Sequence, residues 1–192
     1  MSRRQRPPIR WWPRARNRLV LATSERLQLT PMRPEDAVDY ADTLHDPEVR
    51  EWQGYDDPTV DRLTLQYVHG LEMLRFRGHP TQLAIRDRVS GDWLGHFCFV
   101  QDETDYLRDS VILGWWLAEH ARGKGLAHEA LAMVLRWLHD EVMVGTVRIG
   151  TRSDNERALR MIHRSGARFQ DEHPTLLPNG TQPMGRWYVH EL

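Results

Sequence analysis

Hydrophobic and polar positions change period several times along this 192-residue chain, and each change marks a predicted element. Leu27 and Leu29 alternate with polar neighbours across Arg26–Pro31, which predicts a first strand. Pro34 opens a helix to about Leu44, with Glu35, Asp36 and Asp39 early in it, where the helix dipole favours acids. Asp46-Pro47 starts a short second helix that ends near Gln53-Gly54. Asp57-Pro58 starts a longer one. Its apolar residues Val60, Leu63, Tyr67, Leu71 and Leu74 recur at steps of three and four, and Gly78-His79-Pro80 stops it.

Strand periodicity follows. Thr81–Arg86 alternates, Val89-Ser90-Gly91-Asp92 has turn chemistry, and Trp93–Val100 returns as the second arm of a hairpin. The acidic loop Gln101–Asp109 leads to Val111–Ala118, apolar on both faces as a central buried strand requires. A glycine loop, Ala121–Gly125, opens a helix from Leu126 to about Val142 with a buried stripe of Ala127, Leu131, Val134, Leu138 and Val142. Thr146–Thr151 reads as a strand, and Asp154–Ser165 as a helix capped by Ser153 or Asp154 and ended by Gly166. Two closing strands, Arg168–His173 and Arg186–Leu192, flank a turn at Pro178-Asn179-Gly180. The order β-α-α-α-β-β-β-α-β-α-β-β predicts an α/β fold: a mixed, mostly antiparallel sheet with a parallel βαβ unit at its middle and helices on both faces.

Charge narrows the picture. Residues 1–26 hold eight arginines against the single acid Glu25, so a net charge of −1 for the whole chain leaves −8 on the rest. Residues 1–22 are read as a basic extension and 23–192 as one domain. An acidic body disfavours nucleic acid and favours cationic small molecules. The longest uncharged run, Ser110–Ala118, is far below the roughly 20 apolar residues of a membrane span. Leu19–Ala22 is too short for a signal-peptide core. A lone cysteine, Cys98, excludes an internal disulfide and suits a cytoplasmic protein, and the ten histidines show no metal-ligand spacing.

The chemistry is concentrated in Gly114-Trp115-Trp116-Leu117-Ala118-Glu119-His120-Ala121-Arg122-Gly123-Lys124-Gly125-Leu126-Ala127. A strand runs into a glycine loop that opens directly onto a helix. Glycines let N–H groups converge, and the helix N-terminus adds unpaired donors and partial positive charge. Such a loop suits a phosphate or pyrophosphate. It fits neither the dinucleotide-fold nor the P-loop ATPase spacing.

Arg122-Gly123-Lys124-Gly125-Leu126-Ala127 resembles the R/Q-x-x-G-x-G/A signature of the GNAT N-acetyltransferases. Ser153-Asp154-Asn155-Glu156-Arg157-Ala158…Ser165-Gly166-Ala167 is similar to the family's later Asn-bearing helix. Thr23–Leu29, Arg33–Ala37 and Asp46–Val49 resemble the ribosomal-protein N-terminal acetyltransferase (RimJ/RimL-like) branch. The resemblance implies acetyl-CoA as co-substrate. It implies that backbone groups of Trp116, Leu117 and Ala118 pair with the pantetheine arm, with the Trp116 N–H beside the thioester. It also implies that N–H groups from Arg122, Gly123, Lys124, Gly125, Leu126 and Ala127 hold the pyrophosphate, that Asn155 bonds the pantetheine, and that Arg164 approaches a CoA phosphate.

Departures from that pattern matter as much. Where many relatives hold a Glu base, a Tyr acid or a Ser, this chain has Ile112, Ile162 and Ala158. His96 is the candidate base, because it lies on the strand next to the central one. Glu51 and Trp52 are candidate acceptor contacts on the second helix, with Trp115, Trp116 and Trp187 as further aromatics. The expected acceptor is a primary amine, first a cationic small molecule such as an aminoglycoside-type antibiotic or a polyamine. The alternatives are a protein or peptide N-terminus, or an acyl-CoA-binding module without catalysis. Monomer and homodimer both stay open.

Overall fold

The computed structural model describes residues 20–68, 70, 73–103, 105 and 109–192, without the side chain of Val68. The chain enters through β1 (Ala22–Thr23) and β2 (Leu27–Pro31), then three helices, α1 (Ala37–His45), α2 (Pro47–Gln53) and α3 (Asp57–Val68). A small hairpin, β3 (Arg75–Phe76) and β4 (His79–Pro80), precedes β5 (Gln82–Asp87), β6 (Trp93–Gln101) and β7 (Ser110–Leu117). Then come α4 (Leu126–Asp140), β8 (Thr146–Arg152), α5 (Glu156–Arg164), β9 (Arg168–Pro174) and β10 (Met184–Glu191). Eight strands form one sheet in the order β1-β2-β5-β6-β7-β8-β10-β9, in which only β7–β8 is parallel. This is the mixed α/β architecture that the sequence pattern predicts.

Strand alternation divides the core into two layers. On one face Leu29, Ile85, Phe97, Leu113 and Ile149 pack with Leu131, Val134 and Leu138 of α4 and with Leu159 and Ile162 of α5. On the other face Ala84, Trp93 and Trp116 meet Tyr40, Leu44, Val49, Val60 and Tyr67 from α1–α3. That second layer covers only part of its face. Beyond Trp116 the sheet surface over β7, β8 and β10 is left open to a cavity.

Several boundaries differ from the sequence reading for local reasons. The first helix opens with a single 3-10 turn at Pro34–Asp36. The third ends at Val68, so Leu74 is exposed at 52 %, while the expected Leu71 position lies outside the described residues. What reads as a helix stop at Gly78-His79-Pro80 is the turn and returning strand of the β3–β4 hairpin. Arg77 (φ 51°) and Gly78 (φ 85°) both take left-handed conformations there, as a two-residue hairpin turn demands. Ala127 is half-buried rather than part of the α4 core stripe, and Val142 is buried just past the helix end. The N-cap of α5 is Asn155, not Ser153 or Asp154. β10 starts at Met184, ahead of the expected Arg186, and Ala22 is paired with Leu29 although the sequence reading leaves it in the extension.

Candidate active site: a split between parallel strands

β7 and β8 pair only at Ser110–Thr146, Val111–Val147 and Ile112–Arg148. Both strands run on, β7 to Leu117 and β8 to Arg152, but they part, each held by its outer partner. β6 stays paired with β7 as far as Gly95–Leu117, and β10 with β8 as far as Gly185–Arg152. The inner edges of Leu113–Leu117 and Ile149–Arg152 therefore face each other across a gap. Unpaired strand edges inside a sheet are a ready template for an extended amide-bearing ligand.

The parity of β7 corrects one expectation. Ala118 N–H donates to the Leu94 carbonyl of β6 (3.0 Å). Successive residues of a strand point their main-chain groups to opposite sides, so Trp116 also faces β6, and Trp115 and Leu117 face the gap. The main-chain groups that face the gap are therefore those of Trp115 and Leu117, and those expected of Trp116 and Ala118 are taken by β6. The Leu117 carbonyl also accepts from Arg122 Nε (3.0 Å).

At the wide end of the gap the loop turns into α4. Gly123 and Gly125 both sit at φ 74°, a left-handed conformation that a side chain disfavours, and Gly125 is the N-cap. The first-turn N–H groups of Leu126, Ala127 and His128 have no helical acceptor and point out of the helix end. The loop is braced from behind. Arg26 donates to Glu129 through Nε (2.7 Å) and to the Lys124 carbonyl through Nη1 (3.0 Å), and the Ser24 hydroxyl also donates to Glu129 (2.6 Å).

These elements enclose a cavity of about 570 Å³. Its floor is Cys98, Val100, Ile112, Gly114 and Gly150. The floor is low because Gly114 and Gly150 lack side chains: a Cβ on Gly150 would lie 2.8 Å from the Trp187 ring laid over it. Trp187 is held by Arg148 above its face (5.0 Å) and by the stacked His173 ring (5.7 Å). The opposite wall is α2 with Trp52, under the guanidinium of Arg152 (4.8 Å). Leu177, from the β9–β10 connection, packs so closely on Gly54 that a Cβ there would be 2.6 Å from it.

The expected site residues divide into two groups. Gly123, Gly125, Leu126, Ala127, Asn155, Arg164 and Trp52 all line the cavity. Asn155 does so while its side-chain oxygen caps α5, accepting from the Ala158 N–H (3.0 Å). Arg122 lines it too, but its N–H donates to Glu119 and its guanidinium is turned onto α2, at Asp46 Oδ2 (2.7 Å) and Glu48 Oε2 (3.0 Å). Burial alone would raise Asp46, but Arg122 and the Val49 and Glu48 N–H groups hold it below the usual carboxylate range. Lys124 is exposed and off the wall, offering its carbonyl to Arg26. Glu51 is also exposed and off the wall, and its carbonyl accepts from Arg152.

His96 is placed apart from the cavity. It is 1 % exposed, with Nε2 2.9 Å from Gln82 Oε1 and its ring 4.5 Å from Trp116. Burial pushes its pKa down to about 3, which keeps it neutral. A base must reach the proton it takes, and this ring lies behind Trp116, inside the second core layer. Ile112 and Ala158 are on the cavity wall and Ile162 is in the core, so those three positions offer no titrating group. Burial raises the Cys98 thiol on the floor to about 11. Among the described residues, no three His, Cys, Asp or Glu side chains cluster as a metal site. No described helix is long and apolar enough to cross a membrane.

Sequence reasoning missed Asp46 and Glu48 as partners of the loop arginine, together with Gly150 and Leu177. Their roles come from residues distant in the chain, and only the Asp46-Pro47 cap signal touches any of them.

A mixed sheet split at its parallel pair, with a glycine loop and a helix N-terminus at the open end, is the arrangement that the sequence resemblance implies. Residues 26–168 match the acetyltransferase (GNAT) domain, and the chain belongs to that family. GNAT enzymes use acetyl-CoA. No curated protein matches the chain in sequence. Among solved structures it is similar to RimL, a ribosomal L7/L12 alpha-N-protein acetyltransferase in complex with coenzyme A. That match has 17 % identity and a TM-score of 0.75, over 90 % of this chain and 98 % of that one. A ribosomal-protein-S5-alanine acetyltransferase from Vibrio fischeri matches at 15 % identity and TM-score 0.69, over 88 % and 96 %. An acetyltransferase from Agrobacterium tumefaciens matches at 22 % and 0.66, over 89 % and 94 %. At these identities the likeness is one of fold.

Proposed function

We propose that residues 23–192 transfer acetyl from acetyl-CoA to the N-terminal amine of a protein or peptide. The observation that carries this is the gap itself: unpaired strand edges leading to a glycine loop and the unpaired first-turn N–H groups of α4. The residues fit the cofactor. The inner edges of Leu113–Leu117 and Ile149–Arg152 suit the amides of a pantetheine arm, and the Gly123–Ala127 loop with Arg164 suits its phosphates. When bound, acetyl-CoA supplies the thioester carbon that the amine attacks.

The chain's own contribution is placement. The Leu117 and Trp115 N–H groups face the gap and suit a developing oxyanion. Trp52, Trp116 and Trp187 wall off water. With His96 sealed in the core, Ile112 and Ala158 on the wall and Ile162 buried, the amine arrives neutral from solvent and positioning provides most of the acceleration.

Charge on the wall favours the peptide over a polycation. Arg122, Arg152, Arg157, Arg160 and Arg164 line the cavity. The one carboxylate among the described lining residues, Glu48, is bonded to two of them. Among the described lining residues no uncommitted carboxylate is left to hold a polyamine or an aminoglycoside. The relatives named above for ribosomal-protein acetylation point the same way. The test is release of free thiol from acetyl-CoA across N-terminal peptides, amino acids, polyamines and aminoglycosides. Turnover with peptides is expected. Turnover confined to polyamines or aminoglycosides would overturn the acceptor, and CoA binding without turnover on any amine would leave a binding module.

A further inference from the structure

Glu48 stands where the cofactor side and the acceptor side of the cavity meet. It projects from α2, and its oxygens are divided between two arginines of the cofactor side. Oε2 accepts from Arg122 Nη1 and Oε1 from Arg157 Nη1, each at 3.0 Å. The arginines differ in commitment. Arg122 is 13 % exposed and also holds Asp46 and the Leu117 carbonyl. Arg157, near the start of α5, is 53 % exposed. Val49 is the one buried residue among the described positions of α2, so little apolar packing fixes this helix.

We propose that Glu48 is an internal counter-anion of the cofactor site. It neutralises the Arg122–Arg157 pair, and an incoming CoA phosphate competes with it, chiefly for the exposed Arg157. This role presupposes that the loop holds CoA, as proposed above. A carboxylate already bonded to a guanidinium weakens its attraction for a phosphate, and the two like charges repel across the cavity. Asp46 keeps the start of α2 on Arg122 while Glu48 is displaced. Cofactor arrival is thereby coupled to the helix that carries Trp52, and Glu48 acts as a positioning residue.

Calorimetric titration of CoA into the full chain tests this, using the parent, Glu48→Gln, Arg157→Ala and the double variant at low and moderate salt. Glu48→Gln is expected to bind CoA about three- to tenfold tighter at low ionic strength, with the gain shrinking as salt screens it. In the Arg157→Ala background the gain should fall below about twofold, because the contested partner is gone. Glu48→Ala, the second probe should the Gln variant misfold, should shift affinity in the same direction. A purely structural Glu48 would lower Tm and leave CoA affinity unchanged or weaker, and that result would overturn the proposal. A parent that binds no CoA would overturn the cofactor-site reading. A parent that binds CoA beside a Glu48→Gln variant that gains nothing removes only the counter-anion role.

Discussion

On its β7–α4 side the cavity is shaped by main chain. Two strands part, two glycines turn a loop through left-handed conformations, and a 15-residue helix with eight buried residues anchors the result. On its α2 side it is shaped by side-chain charge. A seven-residue helix is tied down by Arg122 on Asp46 and Glu48, by Arg157 on Glu48, and by Arg152 over Trp52. Apolar burial is insensitive to salt and to small changes of pH, whereas ion pairs at half-exposed positions respond to both. Burial and backbone fix the first side, and the exchange of Glu48 for a phosphate proposed above falls on the second.

The hardest test of the main-chain side is Gly125→Asp. An aspartate tolerates a left-handed conformation better than most residues, and a Cβ there would lie 3.9 Å from Arg26 Nη2, a partner for the new carboxylate. The variant should therefore fold, with a like charge beside the α4 donors. CoA affinity by calorimetry is expected to fall by about 100-fold or more. An unchanged affinity in a folded variant would remove the phosphates from this loop.

Arg122→Gln breaks the charge-built side at its least exposed point. Asp46, with a side chain 11 % exposed, would lose its cation, and about 2 kcal/mol of stability and about 5 °C of Tm should go with it. The pH dependence gives the sign. Asp46 ionises below its ordinary value in the folded protein, so its contribution is complete at neutral pH and is lost as pH falls through that depressed value. The parent's advantage over Arg122→Gln in urea unfolding should therefore be large at pH 7 and shrink near pH 3. A constant difference would mean that the Asp46 pair does not hold α2.

This contrast also explains what the sequence revealed. The loop from Arg122 to Ala127, the strand before it and the helix after it announce themselves locally, because backbone turns require glycine at fixed offsets and a helix end requires a cap. Strand positions were legible from alternation, and only single-residue parity turned Trp115 to the gap and Trp116 and Ala118 to β6. The second helix and its Trp52 were legible, but the ion pairs that tie the helix to the loop were not. Asp46 reads as a cap, which it is, accepting from the Glu48 and Val49 N–H groups, but its second bond to Arg122 spans 76 residues and has no local signature. Arg122, expected to offer its N–H to a pyrophosphate, gives that N–H to Glu119 and its guanidinium to acids 74 and 76 residues away, which no local pattern shows. His96 was misassigned because alternation shows which face a residue takes but not how deeply a helix layer covers it.

The smallest effect expected is on catalysis by His96→Gln, and it separates the core layer from the cavity. The ring is buried against Trp116 and bonded to Gln82, and with a pKa near 3 it carries no charge at working pH. A proton acceptor that stays neutral and sealed contributes no inflection to a rate profile between pH 6 and 9. Glutamine retains a polar partner for Gln82, so kcat/KM should change by less than about threefold, with the shape of the profile kept. The variant should differ in stability instead. Below the ordinary histidine value of 6.5 the unfolded chain takes up a proton that the folded ring refuses, so the parent loses stability as pH falls, by about 1.4 kcal/mol per unit from this group. Urea unfolding from pH 6.5 to 4.5 should show that slope reduced in His96→Gln. A loss of about 100-fold in kcat/KM together with a missing inflection would put a proton path through the core layer. Positioning alone would then no longer account for the chemistry.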